Sequence, residues 1–327
     1  MATPDTVLSS YPSLTFAHGS LRPEERGRLE TRRAHIQDYE PPKWRSSHAD
    51  DVSGEHTEVP MVDHANIVFI GPVGSGKSSL IGSLWRAVNQ DTVFPDRIQL
   101  TLNHPDEDTH GTMKWMETCG NKKRTIIYQD TRGDQEYDTS ERNVHEFSLR
   151  GMYRDGAQLQ SHSVFSSDWW ISRRFFWERG QGEVPHCVVF VFDGSSDPFL
   201  DAESMEFFKT VFEDCTKLGY EPVIVVSCLD LIYQEALRVG ENYEVQIQHK
   251  RDHILQAFEN LNLTRQSIYF VTNFHEGKRG GVRVWEAGDK GFERATKMLV
   301  DLGRDLLTVA DRFIERKYTG NPKCTVL

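Results

Sequence analysis

The chain has 327 residues, enough to bury one large core and carry extra segments. Hydrophobic residues make up 38% and charged residues 27%, as in a water-exposed folded domain, and the net charge of −11 excludes charge-driven, nonspecific nucleic-acid binding as the main activity. No nucleic-acid partner is expected. No apolar run reaches the length of a membrane span, and the opening MATPDTVLSSYPS lacks a basic region followed by an apolar core, so a cytoplasmic protein is expected. Cys119, Cys187, Cys215, Cys228 and Cys324 show no paired metal-type spacing, which suits a reducing compartment.

Residues 1–60 are polar and poor in branched apolar side chains. They predict a largely disordered N-terminal arm, with a short helix over Glu24 to Gln37 that Pro41-Pro42 would stop. From Ala65 the texture changes. The runs NIVFI, TIIYQD, CVVFVFD, PVIVVSC and SIYFVT read as buried strands, separated by helical patterns. Strands alternating with helices predict an α/β fold with a mainly parallel sheet covered on both faces, in one domain spanning residues 61–318.

The first strand runs into Gly71, Pro72, Val73, Gly74, Ser75, Gly76, Lys77, Ser78 and Ser79, which satisfy G-x-x-x-x-G-K-[ST] at the start of a helical pattern. Glycines let the backbone curl so that its N–H groups face phosphate oxygens at the positive end of a helix. Lys77 would reach the outer phosphates, and the Ser78 hydroxyl would join a Mg²⁺ shell. Such a site needs a threonine that closes over the metal. Thr101, Thr109 and Thr112 all lie in TLNHPDEDTHGTMKW, and Thr109 and Thr112 stand nearest the strand expected from Met113; Thr112 is the candidate taken forward.

The second strand ends at Asp130, within Asp130-Thr131-Arg132-Gly133. This is the D-x-x-G pattern, in which the aspartate holds Mg²⁺ through water and the glycine N–H senses a third phosphate. Asp193, at the end of the third strand, is expected to shape its own loop instead. Residues 134–185 interrupt the alternation and read as an insertion. It contains SSDWWISRRFFWERG, where Trp169, Trp170, Phe175, Phe176 and Trp177 stand beside Arg173, Arg174 and Arg179. Such a cluster either docks the insertion on its own domain or presents a surface to a protein partner.

Beyond the third strand, Met205, Phe208, Phe212, Cys215 and Leu218 recur at helical spacing between a start at Asp197-Pro198 and a stop at Gly219. The strand PVIVVSC then leads into Ser227-Cys228-Leu229-Asp230. Asp230 stands where a carboxylate can accept from the N1–H and N2 amine of guanine, a donor pair that adenine lacks. The usual pattern is [NT]-K-x-D, and Cys228 replaces its lysine. The alternative for Asp230 is a loop aspartate capping the next helix. After the last strand, Thr272-Asn273-Phe274 is where a backbone contact to the base is expected, with Asn273 as the candidate. Met298, Leu302, Leu306, Ala310 and Phe313 mark a closing helix. Residues 319–327 form a tail ending Cys324-Thr325-Val326-Leu327, a pattern for geranylgeranylation of Cys324 that would add peripheral membrane contact; the alternative is a terminus without that role.

Taken in order, GPVGSGKSS, DTRG, FVFDGSS, VVSCLD and VTNF resemble the interferon-induced protein 44 family of predicted GTPases, over about Asn66 to Lys317. The resemblance implies a Ras-like P-loop fold, binding of GTP or GDP with Mg²⁺, a cytoplasmic location and a role in immune or stress responses. Small GTPases place a glutamine directly after D-x-x-G to position the attacking water; here Asp134 holds that place and Gln135 follows it. Slow or partner-dependent hydrolysis is therefore expected, with Lys77 and Gln135 as the catalytic candidates. Three readings stay open: a GTP-binding switch or weak GTPase, an ATP-dependent P-loop enzyme, and a non-hydrolysing interaction protein. Expected partners are guanine nucleotide, a protein on the Trp-rich stretch and a second copy in a homodimer.

Overall fold

A computed structural model describes residues 21–45, 58–90, 115–131, 133–153, 155, 184–196, 199, 201–229, 232, 243–260, 268–274 and 292–318. In chain order its helices are α1 (Pro23–Gln37), α2 (Lys77–Asn89), α3 (Thr139–Leu149), α4 (Ala202–Lys217), α5 (Tyr243–Asn260) and α6 (Phe292–Tyr318). The strands are β1 (Lys43–Arg45), β2 (Glu58–Pro60), β3 (Ala65–Ile70), β4 (Met116–Cys119), β5 (Ile126–Asp130), β6 (Cys187–Asp193), β7 (Val223–Ser227) and β8 (Ile268–Phe270). β1 and β2 pair as a separate antiparallel ribbon, and the other six form one sheet in the order β4-β5-β3-β6-β7-β8. Only β4 runs antiparallel within that sheet, against β5.

The expected architecture is therefore observed: an α/β fold whose mainly parallel sheet is flanked by helices. Alternation along each central strand divides the core in two. Ile67 and Phe69 of β3, with Val189 and Val191 of β6, pack under α1, α2 and α6. Val68 and Ile70, with Val188, Phe190 and Phe192, face α3, α4 and α5. Both faces are apolar because both are covered, which is why these strands read as unbroken apolar runs and not as alternating ones. The second core is rich in aromatic rings; Phe192 meets Phe208 edge-on at 5.1 Å and Phe258 at 5.4 Å between centroids.

Two expectations need correction. The helix read over Glu24 to Gln37 forms as α1, but it and the rest of residues 21–45 are packed on the domain and not part of a disordered arm. α1 buries Leu29, Arg33 and Ile36, and Ile36 Cδ1 packs where Gly303 of α6 leaves room. Arg33 Nε donates to the Ala87 carbonyl at 2.8 Å and Gln37 Nε2 to that of Val88 at 2.8 Å, satisfying acceptors that the last turn of α2 cannot pair internally. The polar composition that suggested disorder is the composition of a helix that grips with its polar side chains. Residues 139–149, read as part of an insertion, form α3 between β5 and β6 and are buried through Val144 and Leu149. Its buried face includes Glu141, His145 and Ser148, polar residues that break the apolar period. The Trp-rich stretch lies outside the described residues.

Start and stop signals fared differently. α4 begins after Asp201, whose carboxylate accepts from Ser204 N–H at 2.8 Å, while Asp197-Pro198 lie outside the described residues; Gly219 follows its end with φ +86° as expected. Among the described residues no helix is long and apolar enough to cross a membrane.

His186 extends the β3–β6 ladder. Its N–H donates to the Asn66 carbonyl at 2.7 Å, and its Nδ1 accepts from Asn66 N–H at 2.9 Å. Burial, with the Lys317 charge second, pushes its pKa from 6.5 down to about 3. The native state therefore keeps the ring neutral while the unfolded chain protonates, so stability is full above pH 6.5 and is lost as pH falls toward about 3. The expected slope is about 1.4 kcal/mol per pH unit from this group. Denaturant midpoints of wild type and His186→Asn between pH 7 and 4.5 check it; equal slopes would contradict the assignment.

Candidate functional site

The carboxyl ends of β3, β5, β7 and β8 converge on the loop between β3 and α2. Open α/β sheets place ligands at this edge. Gly71, Gly74 and Gly76 take φ +152°, +76° and +89°, so the chain curls through conformations that favour glycine. α2 starts after Gly76 without a side-chain cap and without an acidic residue in its first turn, leaving its positive end to the loop.

Three strand ends, those of β5, β7 and β8, brace this curl. Ser227 Oγ, at the end of β7, donates to the Ser75 carbonyl at 2.6 Å. Asn273, just beyond β8, directs its Nδ2 to the Gly76 carbonyl at 3.4 Å, and Phe274 N–H donates to Ser83 Oγ of α2 at 2.7 Å. A Cβ on Gly76 would meet Asn273 Nδ2 at 3.0 Å and Ser227 Oγ at 3.2 Å, so the braces fit closely around a bare glycine. From β5, Thr131 Oγ1 donates to the Phe69 carbonyl at 2.7 Å, and Asp134 forms a parallel bridge with Pro72. In that bridge Asp134 N–H donates to the Gly71 carbonyl at 3.1 Å and Val73 N–H to the Asp134 carbonyl at 2.9 Å.

The polar side chains then fall into two groups. Lys77 is buried, and its Nζ donates to the carbonyls of Gly71 at 2.8 Å and Pro72 at 2.9 Å. Burial pulls its pKa below the usual lysine value, opposed by the charges of Asp130, Asp134 and Glu141. Ser78 Oγ donates to Asp130 Oδ2 at 2.5 Å, which brings together the two residues expected to hold a metal. Two hard oxygen donors meeting at the start of α2 fit Mg²⁺, which takes few protein ligands and completes its shell with water and phosphate. Asp193, by contrast, accepts from Ser195 N–H at 2.8 Å and Ser195 Oγ at 2.6 Å, closing its own turn as expected.

Thr112, Arg132, Asp230 and Cys324 lie outside the described residues. Cys228, in the place of the lysine, is buried with φ +60°. Gln135 is exposed, and Asp134 is buried with its Oδ1 2.7 Å from His145 Nε2. Ser227, His145 and Glu141 were not anticipated as contributors. Glu141 had a signal: Asp138-x-x-Glu141 has the spacing of a capping box, and Asp138 does cap α3 by accepting from Glu141 N–H at 2.9 Å. Its carboxylate does not return to Asp138 but accepts from the N–H groups of Gln135, Glu136 and Tyr137 at 2.8–3.2 Å.

Fold and loop together define an α/β domain of the P-loop class. No family model matches the chain, and no curated protein matches it. Among 112 matching solved chains, one is described as "Crystal Structure Analysis of sup35 complexed with GDP". It is 12% identical, with a TM-score of 0.30, and the match covers 70% of this chain and 40% of that one.

Proposed function

We propose that the protein binds guanine nucleotide with Mg²⁺ and acts as a nucleotide-controlled switch or scaffold with slow or partner-dependent GTP hydrolysis. The observation that carries this reading is the Ser78–Asp130 contact beside a Gly-rich loop braced on three strand ends. In this arrangement Lys77 and the start of α2 hold the phosphates, while Ser78 and Asp130 hold Mg²⁺, which neutralises phosphate charge when bound. Gly133 N–H meets the third phosphate, and Asp230 selects guanine over adenine. The ordered motifs that resemble the interferon-induced protein 44 family support the same assignment and a role in immune or stress responses.

Weak hydrolysis follows from Asp134. The residue directly after D-x-x-G must offer a side chain to water, but this carboxylate is buried against His145. Tight binding without turnover, as in a nucleotide-supported interaction protein, is the second reading that this feature favours.

Titration calorimetry of GTP, GDP and ATP against wild type, Lys77→Ala and Asp230→Ala tests the assignment. Lys77→Ala should lose all three nucleotides by about a hundredfold or more, the loss expected when a buried charge partner is removed. Asp230→Ala should lose guanine nucleotides selectively. Wild type that prefers ATP, or Lys77→Ala with unaltered GTP affinity, would refute the reading.

A further inference from the structure

The segment that should sense the third phosphate is held by a helix, α3, that lies outside the phosphate loop. Three contacts connect them. Gly133 sits so close to the loop that a Cβ would come within 2.5 Å of Val73 Cα. Asp134, the next residue, is bridged to Pro72 through its backbone and reaches His145 Nε2 of α3 with its side chain. That contact, 2.7 Å long and buried, ties the segment directly to α3. The next three amides, of Gln135, Glu136 and Tyr137, all point into the Glu141 carboxylate, one turn before His145 on the same face of α3.

α3 is itself firmly mounted. Arg142 pairs with Asp214 of α4 at 2.7 Å, the His145 ring packs on Phe207, and Tyr137 packs on Phe207 and Phe208. Tyr220 OH donates to the Leu149 carbonyl at the far end of α3 at 2.7 Å. Buried polar groups this close together are costly to place unless they hold something in register.

We propose that Glu141 and His145 are positioning residues for the third phosphate: through the amides of residues 135–137 and the Asp134 side chain, they hold Gly133 N–H at the phosphate loop. This rests on the guanine-nucleotide reading given above. Neither residue touches the nucleotide. Their hydrogen bonds act on the segment and not on the loop, so the larger effect falls on the ligand that has a third phosphate; the Glu141 charge also acts on buried Lys77, and His145→Ala reads the segment without changing that charge.

The test compares affinities for GDP and for a non-hydrolysable GTP analogue, by calorimetry on the full chain, in wild type, Glu141→Gln, His145→Ala and Tyr220→Phe. Glu141→Gln and His145→Ala should each weaken the triphosphate about tenfold, the worth of one charge-assisted hydrogen bond, with GDP changed by less than about threefold. Tyr220→Phe loosens α3 away from the segment and should lower the melting temperature without moving the affinity ratio. An unchanged ratio in both α3 variants overturns the proposal, as does equal weakening of both ligands, which marks a merely structural role. Glu141→Gln is nearly isosteric and carries the test alone if His145→Ala does not fold. Wild type that binds neither nucleotide removes the guanine reading and this inference together; wild type that binds both, with an unmoved ratio in the variants, removes this inference alone.

Discussion

Replacing Gly71 by alanine should cost about 3 kcal/mol or more of folding stability, through backbone strain and overpacking together. At φ +152° the new Cβ would lie 2.1 Å from the Val191 carbonyl oxygen and 3.1 Å from its carbon. Neither partner can give way. Val191 is in the middle of β6, paired with Val225 of β7, and its side chain is fully buried in the core below the loop. The Gly71 carbonyl also accepts from Asp134 N–H and Lys77 Nζ, so any shift of this residue releases both contacts. Gly74 is the internal comparison: with φ +76° and no atom within 4 Å of its Cβ position, Gly74→Ala should cost only about 1 kcal/mol. Urea midpoints of the two variants measure the difference, and similar losses would contradict the geometry.

Gly133→Ala should act on stability and on ligand choice at once. Gly133 does not need a left-handed backbone, and the obstacle is contact alone: a Cβ would approach Val73 Cα to 2.5 Å and Val73 N to 2.7 Å. Relief requires the segment to separate from the loop, breaking the two backbone hydrogen bonds of the Asp134–Pro72 bridge. Overpacking and two lost bonds together predict about 2–4 kcal/mol of destabilisation. Separation also withdraws the amide assigned to the third phosphate, so affinity for a GTP analogue should fall about tenfold further than affinity for GDP. Thermal melts and calorimetry on one preparation read both effects. A stable variant with the wild-type ratio would show that Gly133 does not set the phosphate contact.

Much of the architecture was legible in local patterns. The five parallel strands, the loop with its three glycines, Asp130 at a strand end and the closing helix all follow from residue type and period, because buried parallel strands are written as continuous apolar runs. Asp193 was readable for a similar reason: its partner is two residues away, and short-range hydrogen bonds have local sequence signatures. β4 was missed. As an antiparallel edge strand of four residues with only Thr118 buried, it carries almost no apolar period. The packing of α1 was missed because the side chains that secure it are Arg33 and Gln37, whose partners lie more than fifty residues away.

The sequence by itself determined the residues at the start of α2, since the curl demands glycine and the motifs put a hydroxyl, Ser78, and a carboxylate, Asp130, at fixed places. Only the tertiary structure decided how those residues are held. Ser227 reaches Ser75 across 152 positions, and Asn273 reaches Gly76 across 197. Nothing about a serine or an asparagine announces a partner that distant; the sheet order places them beside the loop. The same holds for Asp134. Read alone it is a defective glutamine, but in the fold it is buried against His145 and tied by its backbone to Pro72, because α3 packs one polar face against the segment that precedes it.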